Sequence, residues 1–237
     1  MGTQGKFRHV PRIYIIALLV ALTGQTLFWS QARGIRIPWT GVSLAPTPAT
    51  ARAIGLGDTQ LYYRAAGLGL QNIGDWAGEL TPLARYDYAR LAGWFTLLSQ
   101  MDPRGQYVPS LAAYYFGASQ DPAQVRHVIG YLQNLGAGSP ERHWRWLAYS
   151  VYLARFRVKD TGLGLELAKQ LAALPVRDMP IWTRQLPAFV LTDVGEREAA
   201  RDILEAILAE TPDLHPAEQF FIRNYIDTRL GFSSKGK

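Results

Sequence analysis

The chain has 237 residues, 48% of them hydrophobic, and no cysteine. That composition supports a folded core and excludes a disordered chain. The missing thiols exclude a disulfide framework, a thiolate zinc site and a cysteine-ligated iron–sulfur cluster. The formal charge of +6 lies within the first 57 residues, in Lys6, Arg8, Arg12, Arg33, Arg36 and Arg52, with no acid among them; from Asp58 onward 19 basic residues balance 19 acidic ones. Nucleic-acid binders neutralise phosphates with surplus cations. The body of this chain has none to offer, so no nucleic-acid partner is expected.

Residues 1–12 form a basic N-terminus. From Ile13 to Ala32 there are 20 consecutive residues without a charge. As a helix they span about 30 Å, the thickness of a hydrocarbon core. Ile13, Tyr14, Leu18, Leu19, Leu22, Leu27, Phe28 and Trp29 are the expected anchor residues. Tyr14 and Trp29 fall near the two ends, where amphipathic rings favour the interface. A rival reading is a cleaved signal peptide, with Lys6, Arg8 and Arg12 as its basic region and Ser30-Gln31-Ala32 at the cleavage site. The length of the apolar stretch, and the crowding of that site by Trp29 and Arg33, favour an uncleaved transmembrane anchor over residues 13–32. More positive charge precedes the span than follows it, which places the N-terminus in the cytoplasm. The rest of the chain is then expected in the periplasm, held by a single pass at a bacterial inner membrane.

Residues 33–57 read as a linker. Gly34, Pro38, Gly41, Pro46, Pro48, Gly55 and Gly57 interrupt any helix, and Pro46-Thr47-Pro48 favours an extended course. Ile35, Ile37, Trp39, Val42 and Leu44 alternate with other residues, which leaves a short strand or an interfacial patch as the alternative.

From Asp58 the pattern is helical. Thr59 to Ile73 is the first apolar run. Thr81, as N-cap, and Pro82 open the next, which reaches Gln100. Tyr107 to Gly117 follows the turn at Asp102-Pro103. Asp121-Pro122 and Ser139-Pro140 open helices reaching Leu135 and Val158. Four more are expected at 161–174, 180–191, 196–210 and 216–230. Pro187 falls inside one of these and is expected to kink or break it. Short turns between such helices make antiparallel neighbours. Residues 231–237 read as a flexible tail.

The segment from Asp160-Thr161-Gly162 to Leu171 is similar to that from Asp193-Val194-Gly195 to Ile203. Gly195-Glu196-Arg197-Glu198-Ala199-Ala200 resembles the start of a tetratricopeptide (TPR) helix. Met101-Asp102-Pro103, followed by Leu111, Ala112 and Tyr114-Tyr115, resembles the passage from one TPR to the next, and Glu210-Thr211-Pro212-Asp213 is a weaker version of it. The resemblance covers residues 58–230 loosely and 159–213 best. It implies an all-α protein: one transmembrane helix followed by a TPR-like α-solenoid of antiparallel helix pairs that binds partner proteins.

Aromatic residues crowd the stretch from Trp76 to Phe156. In the helix beyond Pro140, Trp144, Leu147, Val151 and Ala154 share the spacing of a buried face, while Trp146, Tyr149 and Tyr152-Leu153 lie on another side. A helix apolar on two sides is either enclosed between layers or presents a binding surface. Tryptophan, tyrosine and arginine are the usual anchors of such surfaces. The candidate partner-binding residues are therefore Trp94, Tyr114, Tyr115, Arg142, Trp144, Arg145, Trp146 and Tyr152.

Chemistry-bearing patterns are sparse. His9, His127, His143 and His215 have no second histidine three or four residues away, HExxH is absent, and no metal is expected. No nucleophile elbow or P-loop occurs, and Gly67-Leu68-Gly69 lacks the third glycine and the strand of a dinucleotide fingerprint. Glu141 reads as an acid placed by the helix dipole, and His143 as a surface or capping residue. The expectation is a protein that is not an enzyme and needs no cofactor: a scaffold, assembly factor or accessory subunit of a membrane complex. Its rivals are a secreted periplasmic protein that binds a peptide or glycan, and a cryptic all-α hydrolase.

Overall fold

The computed structural model describes residues 11–33, 41–76 and 79–232, with the side chains of 75–80 outside that description. The expectations for residues 1–10, 34–40 and 233–237 lie outside the described residues. The chain divides into two bodies, one of residues 1–40 and 75–80, the other of residues 41–74 and 81–237.

In the first body, α1 runs Arg12–Ala32, 21 residues, and among the described residues it is the one helix long and apolar enough to cross a membrane. None of its residues is buried. Its polar residues are satisfied along the helix itself. The Thr23 hydroxyl donates to the Leu19 carbonyl at 2.8 Å, Thr26 to Leu22 at 2.7 Å, and Ser30 to Leu27 at 2.8 Å. Such back-bonding removes the cost of placing a hydroxyl in an apolar medium. Arg33 caps the end and lies 5.1 Å from the Trp29 ring. The hairpin of β1 (Asp75–Trp76) and β2 (Glu79–Leu80) belongs to the same body, with Asp75 opposite Leu80 and Trp76 opposite Glu79.

The second body is all-α. It begins with α2 (Pro48–Ile54), capped by the Thr47 side chain, which accepts from the Thr50 amide. The linker expected over 33–57 is therefore corrected in its second half. Pro48 sits at the first helical turn, where its missing N–H costs nothing, and Ala51 is fully buried. Then come α3 (Thr59–Gln71) and α4 (Tyr88–Met101). Thr81-Pro82 does not open α4. A single 3₁₀ turn, Leu83–Arg85, follows Pro82, and Asp87 caps α4 by accepting from the Arg90 amide at 3.0 Å. Next are α5 (Tyr107–Ser110), α6 (Pro122–Gly138), α7 (Pro140–Tyr152), α8 (Thr161–Ala172), α9 (Trp182–Asp193), α10 (Arg197–Glu210) and α11 (Pro216–Tyr225). Asp58, Asp121 and Asp160 cap α3, α6 and α8 through their carboxylates. Ser139 makes no such bond at α7.

Three helices end in π-helical turns: Leu111–Tyr115 after α5, Leu153–Val158 after α7 and Ile226–Leu230 after α11. Helix α9 runs through Pro187 instead of stopping there. The ring removes one backbone donor but is buried beside Ala188, so its apolar surface offsets the lost hydrogen bond.

Successive helices pack on one another along the chain: α6 on α7, α7 on α8, α8 on α9 and α9 on α10. Small residues set the approach. A Cβ at Gly136 of α6 would stand 2.6 Å from the Leu147 Cβ and 2.8 Å from the Leu147 amide, so only glycine fits between α6 and α7. The core has two textures. Around α4 it is aromatic: Phe116 is fully buried and meets Tyr86, Tyr88 and Phe95 at 5.4 to 6.1 Å, and Phe95 meets Tyr131 at 5.3 Å. Around α10 it is aliphatic, built from Leu191, Leu204, Ile207, Ile222, Ile226 and Leu230. Phe232 packs against this cluster with the Arg201 guanidinium 4.5 Å from its ring, so the expected tail starts no earlier than the next residue.

Candidate functional site

Two surfaces of the second body combine arginine with aromatic rings. The first lies on α4. Residues 41–47 run without secondary structure over this helix. Arg90 donates from Nη1 to the Val42 carbonyl at 2.8 Å, and Trp94 donates from Nε1 to the Ser43 carbonyl at 2.9 Å. Val42 is 1% exposed. Ala45, Pro46 and Pro48 continue along a cleft of about 480 Å³ whose far side is Arg126, His127, Gly130 and Asn134 of α6. Trp94 is thus half-buried and bonded to the protein's own chain.

The second surface is built by α7, its π-helical turn and the π-helical turn after α5. Tyr114 meets Tyr149 edge-on at 4.9 Å, Tyr149 meets Tyr152 at 5.3 Å, and Tyr152 meets Phe156 at 5.1 Å. Tyr114 is 61% exposed, Tyr152 43% and Phe156 54%. Rings in mutual contact that remain open to solvent form a continuous apolar stripe, not scattered surface residues. Trp146 underlies it, 6.0 Å from Tyr114. Desolvation raises the Tyr149 phenol above its ordinary value, with Tyr152 and Tyr114 adding to the rise and Arg157 opposing it.

The stripe is fixed from below by a polar network in which the buried His143 and Trp146 bond to the 103–106 turn. His143 is 1% exposed, and its Nε2–H donates to the Pro103 carbonyl at 2.9 Å. Its Nδ1 faces the Gln106 amide nitrogen at 3.4 Å, and Gln106 Oε1 accepts from Trp146 Nε1 at 2.8 Å. This corrects the reading of His143 as a surface or capping residue: both ring nitrogens are committed to tying the 103–106 turn to α7. Glu141 is exposed.

The candidates separate accordingly. Tyr114, Tyr115, Arg142, Arg145 and Tyr152 are exposed. Trp144 and Trp146 are each 8% exposed and are parts of the packing, Trp144 against Trp182 at 5.8 Å with Arg145 over its ring at 4.7 Å. The expected buried face is buried, with Leu147 and Val151 of α7 and Ala154 of the following π-helical turn at 1% or less. Tyr149, Phe156 and Arg157 were missing from the candidates. The steps from Arg145 to Tyr149, Tyr152 and Phe156 are four, three and four residues, a helical stripe that the spacing alone carries.

Among the described residues no group of three or more acidic or histidine side chains is arranged to hold a metal. No family model, no curated protein and no solved structure matches the chain.

Proposed function

We propose that the protein is a non-catalytic scaffold, an assembly factor or accessory subunit of a membrane protein complex. Residues 13–32 anchor it in a bacterial inner membrane, its N-terminus is cytoplasmic, and its helical body works in the periplasm. The body binds partner proteins through TPR-like helix pairs stacked as a solenoid. Helices α4, α6, α8 and α10 begin at Tyr88, Pro122, Thr161 and Arg197, so successive intervals are 34, 39 and 36 residues, near the 34 of a TPR in the first and longer in the other two. Glycine and alanine at the helix crossings suit the same reading, as does Gly195 at φ +83° in the turn before α10.

The observation that carries the proposal is the exposed aromatic stripe on α7. Its polar neighbours His143 and Gln106 bond within the protein, which suits holding a surface in place more than chemistry. An anchor adds effective concentration for partners in the same membrane.

The test is purification of the tagged full chain from its native membranes in mild detergent, followed by mass spectrometry. Stoichiometric membrane proteins are expected to accompany it, and the chain is expected to resist a carbonate wash. A lone monomer released by carbonate would overturn the proposal in favour of a secreted binding protein.

A further inference from the structure

The aromatic stripe runs into arginine at both ends. Arg142 and Arg145 precede Tyr149, Tyr152 and Phe156 on the same helical face, and Arg155 and Arg157 flank Phe156. The elements that form the stripe, residues 107–118 and 140–158, contain four arginines and one acid, Glu141. Arg155 is paired with Asp193 and lies 4.9 Å from the Phe156 ring. Arg142, Arg145 and Arg157 are exposed and have no ion pair among the described residues. The hydroxyls of Tyr114, Tyr149 and Tyr152 bond to no described residue.

Ring orientation narrows the choice of occupant. Successive interplanar angles are 80°, 36° and 46°. Tilted rings make ridges and grooves, not the flat platform on which a planar base or sugar ring stacks. Grooves between aromatic rings take pyrrolidine rings of a polyproline II segment, whose unpaired carbonyls accept from phenolic hydroxyls. The stripe is at most about 15 Å long, which matches about five residues at 3.1 Å each. The protein already holds one extended, proline-bearing segment in a related way, residues 41–47, whose carbonyls take hydrogens from an arginine and a tryptophan.

We infer that the stripe of Tyr114, Tyr149, Tyr152 and Phe156 binds an extended proline-rich segment of a partner protein, with acidic residues of that segment meeting Arg142, Arg145 and Arg157. The inference rests on the partner-binding reading given above and names the chemistry of the partner. Charge complementarity decides for an acidic segment, since unpaired surface arginines steer and select anionic partners.

The probe is a fluorescein-labelled synthetic peptide of five prolines with two aspartates on each side, titrated by anisotropy against the full chain in phosphatidylcholine nanodiscs. Saturable binding is expected. The double variant Tyr152→Ser, Phe156→Ser is expected to weaken it at least tenfold, while Phe220→Ser, on a distant exposed ring, leaves it unchanged. Arg145→Glu combined with Arg157→Glu is expected to invert the preference toward a lysine-flanked peptide. Undetectable binding by the wild-type chain, or equal binding by the Tyr152/Phe156 variant, overturns the inference. So does hydrogen-exchange protection of residues 149–156 on adding phosphatidylglycerol to the nanodisc without peptide binding, which would give the stripe to the lipid surface. Co-purification from membranes with this same variant separates the two levels. Partners retained equally by variant and wild type overturn the stripe and leave the scaffold standing; no partner with either overturns the scaffold.

Discussion

The α4 surface and the α7 surface use the same materials to different ends. On α4, Arg90 and Trp94 spend their hydrogens on the carbonyls of Val42 and Ser43, and the chain itself covers the site. On α7, the arginines stay exposed and the tyrosines touch one another, with Trp146 and Gln106 bracing them from beneath. Aromatic content in a helix therefore does not by itself mark a binding surface. What matters is whether the polar edge of each ring already has a partner and whether a bonded framework fixes the ring's position.

Gly136→Val forces a branched side chain into the contact with Leu147, and overpacking there outweighs the small gain in helix propensity, so the change is expected to cost about 3 kcal/mol. Thermal unfolding measures it. A change in melting temperature of a degree or less would show that α6 and α7 are not as close as the structure has them. Removing Trp94 acts on the other surface. Trp94→Ala is expected to destabilise by about 2 kcal/mol through lost apolar area and one hydrogen bond. Hydrogen exchange should quicken in residues 41–47 ahead of the helices; uniform acceleration would mean the segment is no separate unit.

A smaller effect sharpens the contrast through pH. Burial pushes the Tyr88 phenol up to about 12, with the neighbouring Ser119 side chain partly opposing the rise. The unfolded chain ionises this group near 10. Stability from the neutral phenol is therefore complete below about pH 10 and declines as pH rises through about 12. Tyr88→Phe is expected to cost about 1 kcal/mol at neutral pH, from the bond to the Phe116 carbonyl, and to flatten the alkaline decline. Urea midpoints across that range test both parts. The smallest effect belongs to the stripe. Tyr152→Ser is expected to change stability by less than about 0.5 kcal/mol, as exposed positions do. A larger loss would make Tyr152 part of the core.

Much of the helical framework was legible because its signals are local. Asp121-Pro122 announces α6 with a cap and a periodic run, and the helix begins there. Thr81-Pro82 carries the same signal and misleads, since Pro82 leads into a 3₁₀ turn and Asp87 does the capping five residues later. The segment 41–57 looked like a tether because proline and glycine dominate it. What holds it is tertiary: a buried valine and two side-chain donors from a helix about fifty residues away in sequence. The candidate surface was half legible. The spacing of α7 assigns its buried face, but burial of Trp146 depends on Gln106 in a distant turn, and no periodicity carries that.

The covered site on α4 has a mechanical consequence. The covalent path from α1 to the helices passes through residues 41–47, so tension along the chain arrives first at the hydrogen bonds of Arg90 and Trp94. Those bonds, together with the buried Val42 side chain, bear it first. Breaking them frees seven residues, about 25 Å of chain contour at 3.3–3.6 Å per residue, before any helix is strained. The segment yields before the helices of the body do.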